Sequence, residues 1–229
     1  MAPLVDVENL RFHYEDGTAA LRGINFQLHP GERVILFGGN GSGKTTFVLH
    51  LNGLLRGEGR IEICGLPVNN NNLAAVRSKI GMVFQDPEDQ LFMPTVLEDV
   101  CFGVLNQGHP EELARAKALS CLERVGMRPA AGKAPYHLSS GEKRRVALAG
   151  VLAMEPEILV FDEPTTFLDP PGQRQLVEIL TGLPQACILV THNLNLARRL
   201  GTRAVFFQAG LVAGDGPVDE IVRRFSWEW

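Results

Sequence analysis

The stretch RVILFGGNGSGKTTF, residues 33–47, constrains this chain more than any other. An apolar strand runs into a turn holding four glycines, and the turn opens onto a helix. GGNGSGKT, Gly38 to Thr45, matches G-x-x-x-x-G-K-[ST] at every fixed position and in the right setting, after a strand and before a helix. The glycines let the backbone wrap phosphate groups with its N–H donors pointing inward. Lys44 is placed to reach the β- and γ-phosphates, and Thr45 to offer its hydroxyl to Mg²⁺. A chain built around such a turn is expected to be an α/β nucleotide binder.

The rest of the pattern agrees. Val5 to Leu28 reads as a hairpin-like extended region with a DGT turn at Asp16–Thr18. RVILF, RIEICG and IGMVF read as strands, with a helix from about Gly43 to Leu55 and an exposed connection at Asn69–Asn72. From about Asp86 to His137 no strand-like run occurs. A short helix near TVLEDVCFG and an amphipathic one at EELARAKALSCLERVGM instead suggest a helical lobe, approximately 86–150, inserted into one domain spanning 1–229. Alternation then resumes through ILVFDE, a helix from about Pro171, CILVTH, LNLARRL, RAVFFQ and VDEIVRRF. The expected fold is a mainly parallel core sheet with helices on both faces, an antiparallel N-terminal β region and the helical lobe.

Composition excludes several alternatives. The 229 residues are 45% hydrophobic, enough for an ordinary core and one sizeable domain. A net charge of −4 gives no basic field to recruit nucleic acid, which is not expected as a partner. The run Lys143–Arg145 reads as a solvated helix face. The uncharged window Ile179–Ala197 contains Pro184, Gly182 and His192 and does not suit a bilayer span. MAPLVDVENL has the look of no export signal, and Cys64, Cys101, Cys121 and Cys187 are too scattered for zinc or a disulfide framework.

Beside the phosphate loop stands ILVFDE, an apolar strand ending in two carboxylates. Asp162 is a candidate to orient the magnesium shell through water, and Glu163 to polarise the attacking water. Gln85, after IGMVF, is placed to meet Mg²⁺ or that water. His192, after CILVT, is placed to meet the γ-phosphate, and Tyr14 to stack on a base. The absence of N-K-x-D favours adenine, so ATP and Mg²⁺ are the expected ligands. A second anion seat opens at LSSGE, Leu138, Ser139, Ser140, Gly141 and Glu142, although Ser139 and Glu142 also have the spacing of a helix capping box.

Taken together these motifs resemble the ATP-binding-cassette ATPases across nearly the whole chain. Tyr14 is similar to the adenine-stacking aromatic of that family. Gly38, Gly39, Asn40, Gly41, Ser42, Gly43, Lys44, Thr45 and Thr46 resemble its Walker A loop, and Gln85 its Q-loop glutamine. LSSGE resembles the signature, ILVFDE the Walker B strand, Asp169 in TTFLD the D-loop and His192 the switch histidine. The resemblance implies an ATP hydrolase in which one subunit's signature closes over ATP held by the other's Walker A loop. A homodimer with two competent sites is implied, a heterodimer being the alternative. Gly39, Ser140, Glu142 and Asn193 depart from the commoner family residues without removing a needed group.

QDPEDQLFMPTVLEDVCFG, LSSGEKRRVALAGVLAMEPEILVFDEPT and GPVDEIV further resemble the cobalt- and nickel-type energy-coupling-factor ATPases. That implies a peripheral subunit at the cytoplasmic face of the membrane, joined to a transmembrane coupling protein and a solute-binding membrane subunit. Asp86, Glu88, Asp89, Glu98 and Asp99 are expected to give the lobe an acidic surface suited to partner arginines. B-vitamin uptake, and a soluble ATP-switched assembly protein, are the competing readings.

Overall fold

A computed structural model describes residues 2–227. The chain opens with strands β1 (Val5–His13), β2 (Ala19–Leu28) and β3 (Arg33–Phe37), then helix α1 (Lys44–Leu51). Strands β4 (Glu58–Ile63) and β5 (Leu66–Pro67), helix α2 (Leu73–Lys79) and strand β6 (Ile80–Val83) follow. Next come helices α3 (Val96–Asn106), α4 (Glu111–Arg124) and α5 (Ser140–Ala153), then β7 (Ile158–Asp162) and α6 (Pro170–Thr181). The chain continues through β8 (Ala186–Val190), α7 (Leu194–Leu200), β9 (Arg203–Gln208), β10 (Leu211–Gly216) and α8 (Val218–Arg224).

These elements form two compact units. The first holds the chain up to Ile80, Glu157–Asp162 and everything from Pro184 onward. Within it, β2, β1, β4 and β5 make an antiparallel sheet in that order. β1 shows why: its residues alternate between buried and exposed faces, as an antiparallel strand covered on one side does. The core sheet of this unit runs β10-β9-β3-β8-β7, parallel from β9 to β7 with β10 antiparallel at the edge. β7 and β8 are buried at every residue, because helices cover both faces of a parallel sheet and leave no polar side. The sheet places the carboxyl ends of β3, β7 and β8 side by side: Leu36 pairs with Val190, and Val190 with Asp162.

The second unit, Gly81–Pro156 and Glu163–Leu183, carries α3 to α6. α3 starts at a full capping box, in which the Thr95 hydroxyl accepts from the Glu98 N–H and Glu98 accepts from the Thr95 N–H. α5 turns Val146, Ala147, Leu148, Val151 and Leu152 into its core.

Three local expectations are corrected. α1 stops at Leu51, not Leu55, because Gly53 takes φ +68° and a Cβ there would lie 2.3 Å from the Leu73 side chain. Asn69–Asn72 is more than an exposed connection: Asn69 Oδ1 accepts from the N–H of Asn71 and Asn72, and Asn72 Nδ2 donates to the Pro67 carbonyl. That turn leads into α2, a helix the sequence reading passed over. Helix and strand assignments for the fold class otherwise stand, with β5 and β10 added, each at the edge of its sheet.

Candidate active site

Two glycines of the loop between β3 and α1 stand where no side chain fits. Gly38 has φ +140°, and a Cβ on it would sit 2.2 Å from the Phe207 carbonyl oxygen. Gly43 has φ +105° and would meet the Ala20 carbonyl at 2.7 Å. The loop is pinned further by the Gly210 N–H, which donates to the Ser42 carbonyl at 3.1 Å. Gly39, Asn40 and Gly41 form its exposed tip. Lys44, only 7% exposed, folds its ammonium back over the loop and donates to the carbonyls of Gly38 (2.7 Å) and Gly39 (3.0 Å).

Helix α1 begins here without a side-chain cap and with no acidic residue in its first turn. The first N–H groups of a helix lack intrahelical acceptors, and its dipole favours negative charge at that end. With the buried ammonium, this is the donor set of a polyphosphate site.

Three other candidates of the same unit gather at this loop. Asp162, at the end of β7 and 6% exposed, is hydrogen-bonded by the Thr45 hydroxyl. Burial pushes its carboxyl above the usual range, while the Thr45 bond and the Lys44 charge pull it back. A cation beside it would offset that desolvation. Among the described residues no cluster of three or more His, Cys, Asp or Glu exists to cage a metal. One carboxylate and one hydroxyl beside a phosphate cradle are instead the sparse protein ligands that Mg²⁺ uses with nucleotides.

His192 follows buried Thr191 past β8. Desolvation first, and then the Lys44 charge, hold its imidazole below the ordinary value, so it is neutral at pH 7. Tyr14 is 41% exposed, and its hydroxyl shares a 2.8 Å hydrogen bond with that of buried Thr46. An exposed ring tethered to α1 matches a base platform better than a core aromatic.

In the second unit, one side chain missed by the sequence reading organises the rest. Arg144 is 2% exposed, not part of a solvated face. Its Nη2 donates to the carbonyls of Gln85 (2.7 Å) and Thr166 (3.2 Å), and Nη1 to that of Glu163 (3.4 Å). Its neighbours in the basic run are also engaged: Lys143 pairs with Glu88, and Arg145 donates to Gln175 Oε1 at 2.8 Å. The signal was present, since Arg144, Ala147, Leu148 and Val151 share one helical face. Arg144 thus binds together the backbones of Gln85 and Glu163 and of the segment leading to Asp169. Glu163 itself has φ +46°, a costly conformation for a non-glycine residue and one typical of functional positions. Thr166 Oγ1 donates to its carboxylate at 3.4 Å.

LSSGE forms the capping box allowed by its spacing. Glu142 Oε2 accepts from the Ser139 N–H and hydroxyl, both at 2.8 Å, and these bonds hold Glu142 below the usual carboxylate range. Leu138 is buried, while Ser139 and Ser140 are exposed and Gly141 is half-buried. Asp169 caps α6 by accepting from the Gly172 N–H at 2.9 Å.

The acidic segment is less uniform than expected. Asp99 is buried, with Oδ1 accepting from the N–H groups of Phe92 and Met93, and burial raises its pKa. Only Asp86, Glu88, Asp89 and Glu98 remain exposed.

A phosphate loop after β3 and a buried Asp at the end of β7, with only β8 between them, define a nucleotide-hydrolysing α/β unit, and the chain belongs to the ABC transporter family, whose model matches residues 21–166. It binds and hydrolyses ATP as an ABC transporter ATPase. Within that family it is close to the energy-coupling-factor ATPases. It is 54% identical to a putative ABC transporter ATP-binding protein of Gloeobacter violaceus, over 96% of this chain and 91% of that one. It is 44% identical to the energy-coupling factor transporter ATP-binding protein EcfA of Methanothermobacter thermautotrophicus, over 97% and 76%. Its structure matches that of cbiO1 from Clostridium perfringens, described as part of the ABC transporter complex cbiONQ. The TM-score is 0.86, with 36% identity over 98% of this chain and 92% of the other. No helix among the described residues is long and apolar enough to cross a membrane.

Proposed function

We propose that this chain is the ATP-hydrolysing motor of an energy-coupling-factor importer for a transition metal ion, cobalt or nickel, acting through separate membrane subunits. The likeness to cbiO1 over nearly the full length of both chains carries this reading. Two copies bind head to tail at the cytoplasmic face. The helical segment of approximately 86–150 engages a transmembrane coupling protein, which in turn joins a solute-binding subunit.

In each site Lys44 and the N–H groups at the start of α1 hold the β- and γ-phosphates, and Tyr14 stacks on adenine. Thr45, Gln85 and, through water, Asp162 would hold Mg²⁺, whose charge offsets that of the phosphates. Glu163 orients the attacking water and accepts its proton, a role worth ~10²–10⁴ in rate. His192, neutral by its surroundings, donates to the γ-phosphate. Ser139 and the N–H groups at the start of α5 close over the γ-phosphate in the partner subunit, and Asp169 sits at the joint between the copies.

Affinity purification of the tagged chain in mild detergent, with mass spectrometry of its companions, tests this. Recovery of a transmembrane coupling protein and a metal-binding membrane subunit is expected, with cobalt or nickel uptake lost in Glu163→Gln cells. A vitamin-binding membrane subunit would overturn the metal, and soluble companions alone would overturn the transporter.

A further inference from the structure

The segment after α8 is built into the first unit. Val218, Ile221 and Val222 are buried, seating the helix. The Phe225 ring lies parallel to that of Phe206, centroids 3.9 Å apart. Gly214 makes room for it, since a Cβ there would be 2.5 Å from Phe225 Cε2. The chain then turns at Ser226, and the Trp227 N–H donates to the Val222 carbonyl at 2.9 Å. Trp227 is left half-buried among three rings. Phe206 meets it edge-on at 5.2 Å, Phe37 is tilted at 6.3 Å, and His192 stacks on it at 5.6 Å and 30°.

These neighbours are not incidental. Phe37 is the last residue of β3, paired in register with Phe206, and the phosphate loop begins at the next residue. The indole therefore lies across the carboxyl ends of β3 and β9, the edge where open α/β sheets bind ligands. His192 stands at the same edge, two residues past the end of β8, the strand that flanks β3 on the side away from β9.

We propose that Trp227 is a positioning residue for His192: its indole restricts the imidazole to the orientation in which it meets the γ-phosphate. This rests on the role proposed for His192 above. An imidazole held on one face by a ring has few rotamers left to lose when nucleotide arrives. The same stack keeps water from that face.

The full-length chain tests this through steady-state ATP hydrolysis by Trp227→Ala, Trp227→Phe, His192→Ala and the double variant Trp227→Ala/His192→Ala. Trp227→Ala is expected to lower kcat roughly two- to ten-fold, the range an aromatic pair of this kind supplies, with KM for ATP unchanged. Trp227→Phe should restore most of the loss. In the His192→Ala background the loss of the indole should cost nothing further. An equal loss in both backgrounds, or unchanged kcat in Trp227→Ala, overturns the proposal. Full activity in His192→Ala would instead remove His192 from the reaction, and with it the step Trp227 is held to serve. The contact itself is read separately. Trp227 and Trp229 are the only tryptophans, so in Trp229→Phe protein all indole emission comes from Trp227. There His192→Ala should shift that emission to longer wavelength by uncovering one face of the indole to water, and an unchanged spectrum would show that the stack does not form.

Discussion

Replacing Arg144 with alanine should cost this protein more stability than any other single change in its basic run. The guanidinium is 2% exposed and donates to three main-chain carbonyls, of which the Gln85 bond at 2.7 Å is the shortest. Alanine leaves these three part-buried acceptors without their donor. Each unsatisfied buried acceptor costs ~1–3 kcal/mol, and removing one side of a buried charged network costs ~3–5 kcal/mol in all. The lower total is the better guide, because the bonds to Thr166 and Glu163 are longer, at 3.2 and 3.4 Å. At about 2–4 °C per kcal/mol for a chain of this length, the melting temperature should fall by roughly 6–20 °C. Circular dichroism melts of wild type, Arg144→Ala, Arg144→Lys and Lys143→Ala supply the measurement. Arg144→Lys should lie between, since an ammonium cannot fork to three acceptors. Lys143→Ala breaks a pair whose Glu88 is 68% exposed, and should cost no more than about 1 kcal/mol. Equal shifts in Arg144→Ala and Lys143→Ala would refute the assignment of Arg144 as the tie between these loops.

Lys44→Ala should weaken ATP binding roughly ten- to hundred-fold by equilibrium titration, the equivalent of one charge-assisted bond of ~1.5–3 kcal/mol. Glu163→Gln should bind ATP yet hydrolyse it at least ~10²-fold more slowly, accumulating a dimer in light scattering; normal turnover would remove Glu163 from its role. Glu142→Gln keeps the capping geometry but removes a negative charge from the start of α5, so in a Glu163→Gln background it should tighten the ATP-bound dimer about two- to five-fold. His50 is buried, its pKa lowered from 6.5 by desolvation, with Nδ1 bonded to the Thr46 carbonyl at 2.7 Å. The unfolded state then binds the proton first, so stability present above pH 6.5 is lost as pH falls through that value toward the lower folded pKa, and His50→Asn should flatten this part of the melting profile.

Most of the fold could be read because the strands of the core sheet declare themselves. β3, β7 and β8 are short apolar runs, and only a sheet covered on both faces makes such runs fully buried. The phosphate loop was legible for a different reason: a Cβ on Gly38 or Gly43 would lie 2.2 or 2.7 Å from a backbone carbonyl oxygen, so no other residue is tolerated there. α2 was passed over because seven residues with one buried side chain, Val76, offer too weak a period beside four asparagines. Arg144 and Asp99 were misread because a charged residue in a charged run looks solvated. Burial of such a group depends on acceptors or donors brought from distant segments, here Gln85 and Glu163 for Arg144 and the N–H groups at 92–93 for Asp99.

The two helix starts marked by the sequence as anion seats are built differently, and the difference suits different tasks. The start of α1 has no side-chain cap and no acid in its first turn, and a buried ammonium lies beside it, so the helix end itself is positive toward a phosphate. The start of α5 is already partly satisfied: Glu142, held ionised, takes both the N–H and the hydroxyl of Ser139. A seat of the first kind retains its ligand in an isolated chain. A seat of the second kind binds an anion only when a carboxylate can be turned aside or tolerated, so it holds weakly alone. A site that must grip a nucleotide throughout the cycle needs the first. In the head-to-tail dimer proposed above, a surface that closes on a partner's nucleotide and then releases it is better served by the second, whose capping box already satisfies part of its donors. One helix cap thus stabilises α5 by about 1 kcal/mol and, in that proposed dimer, loosens the hold on the partner's phosphate.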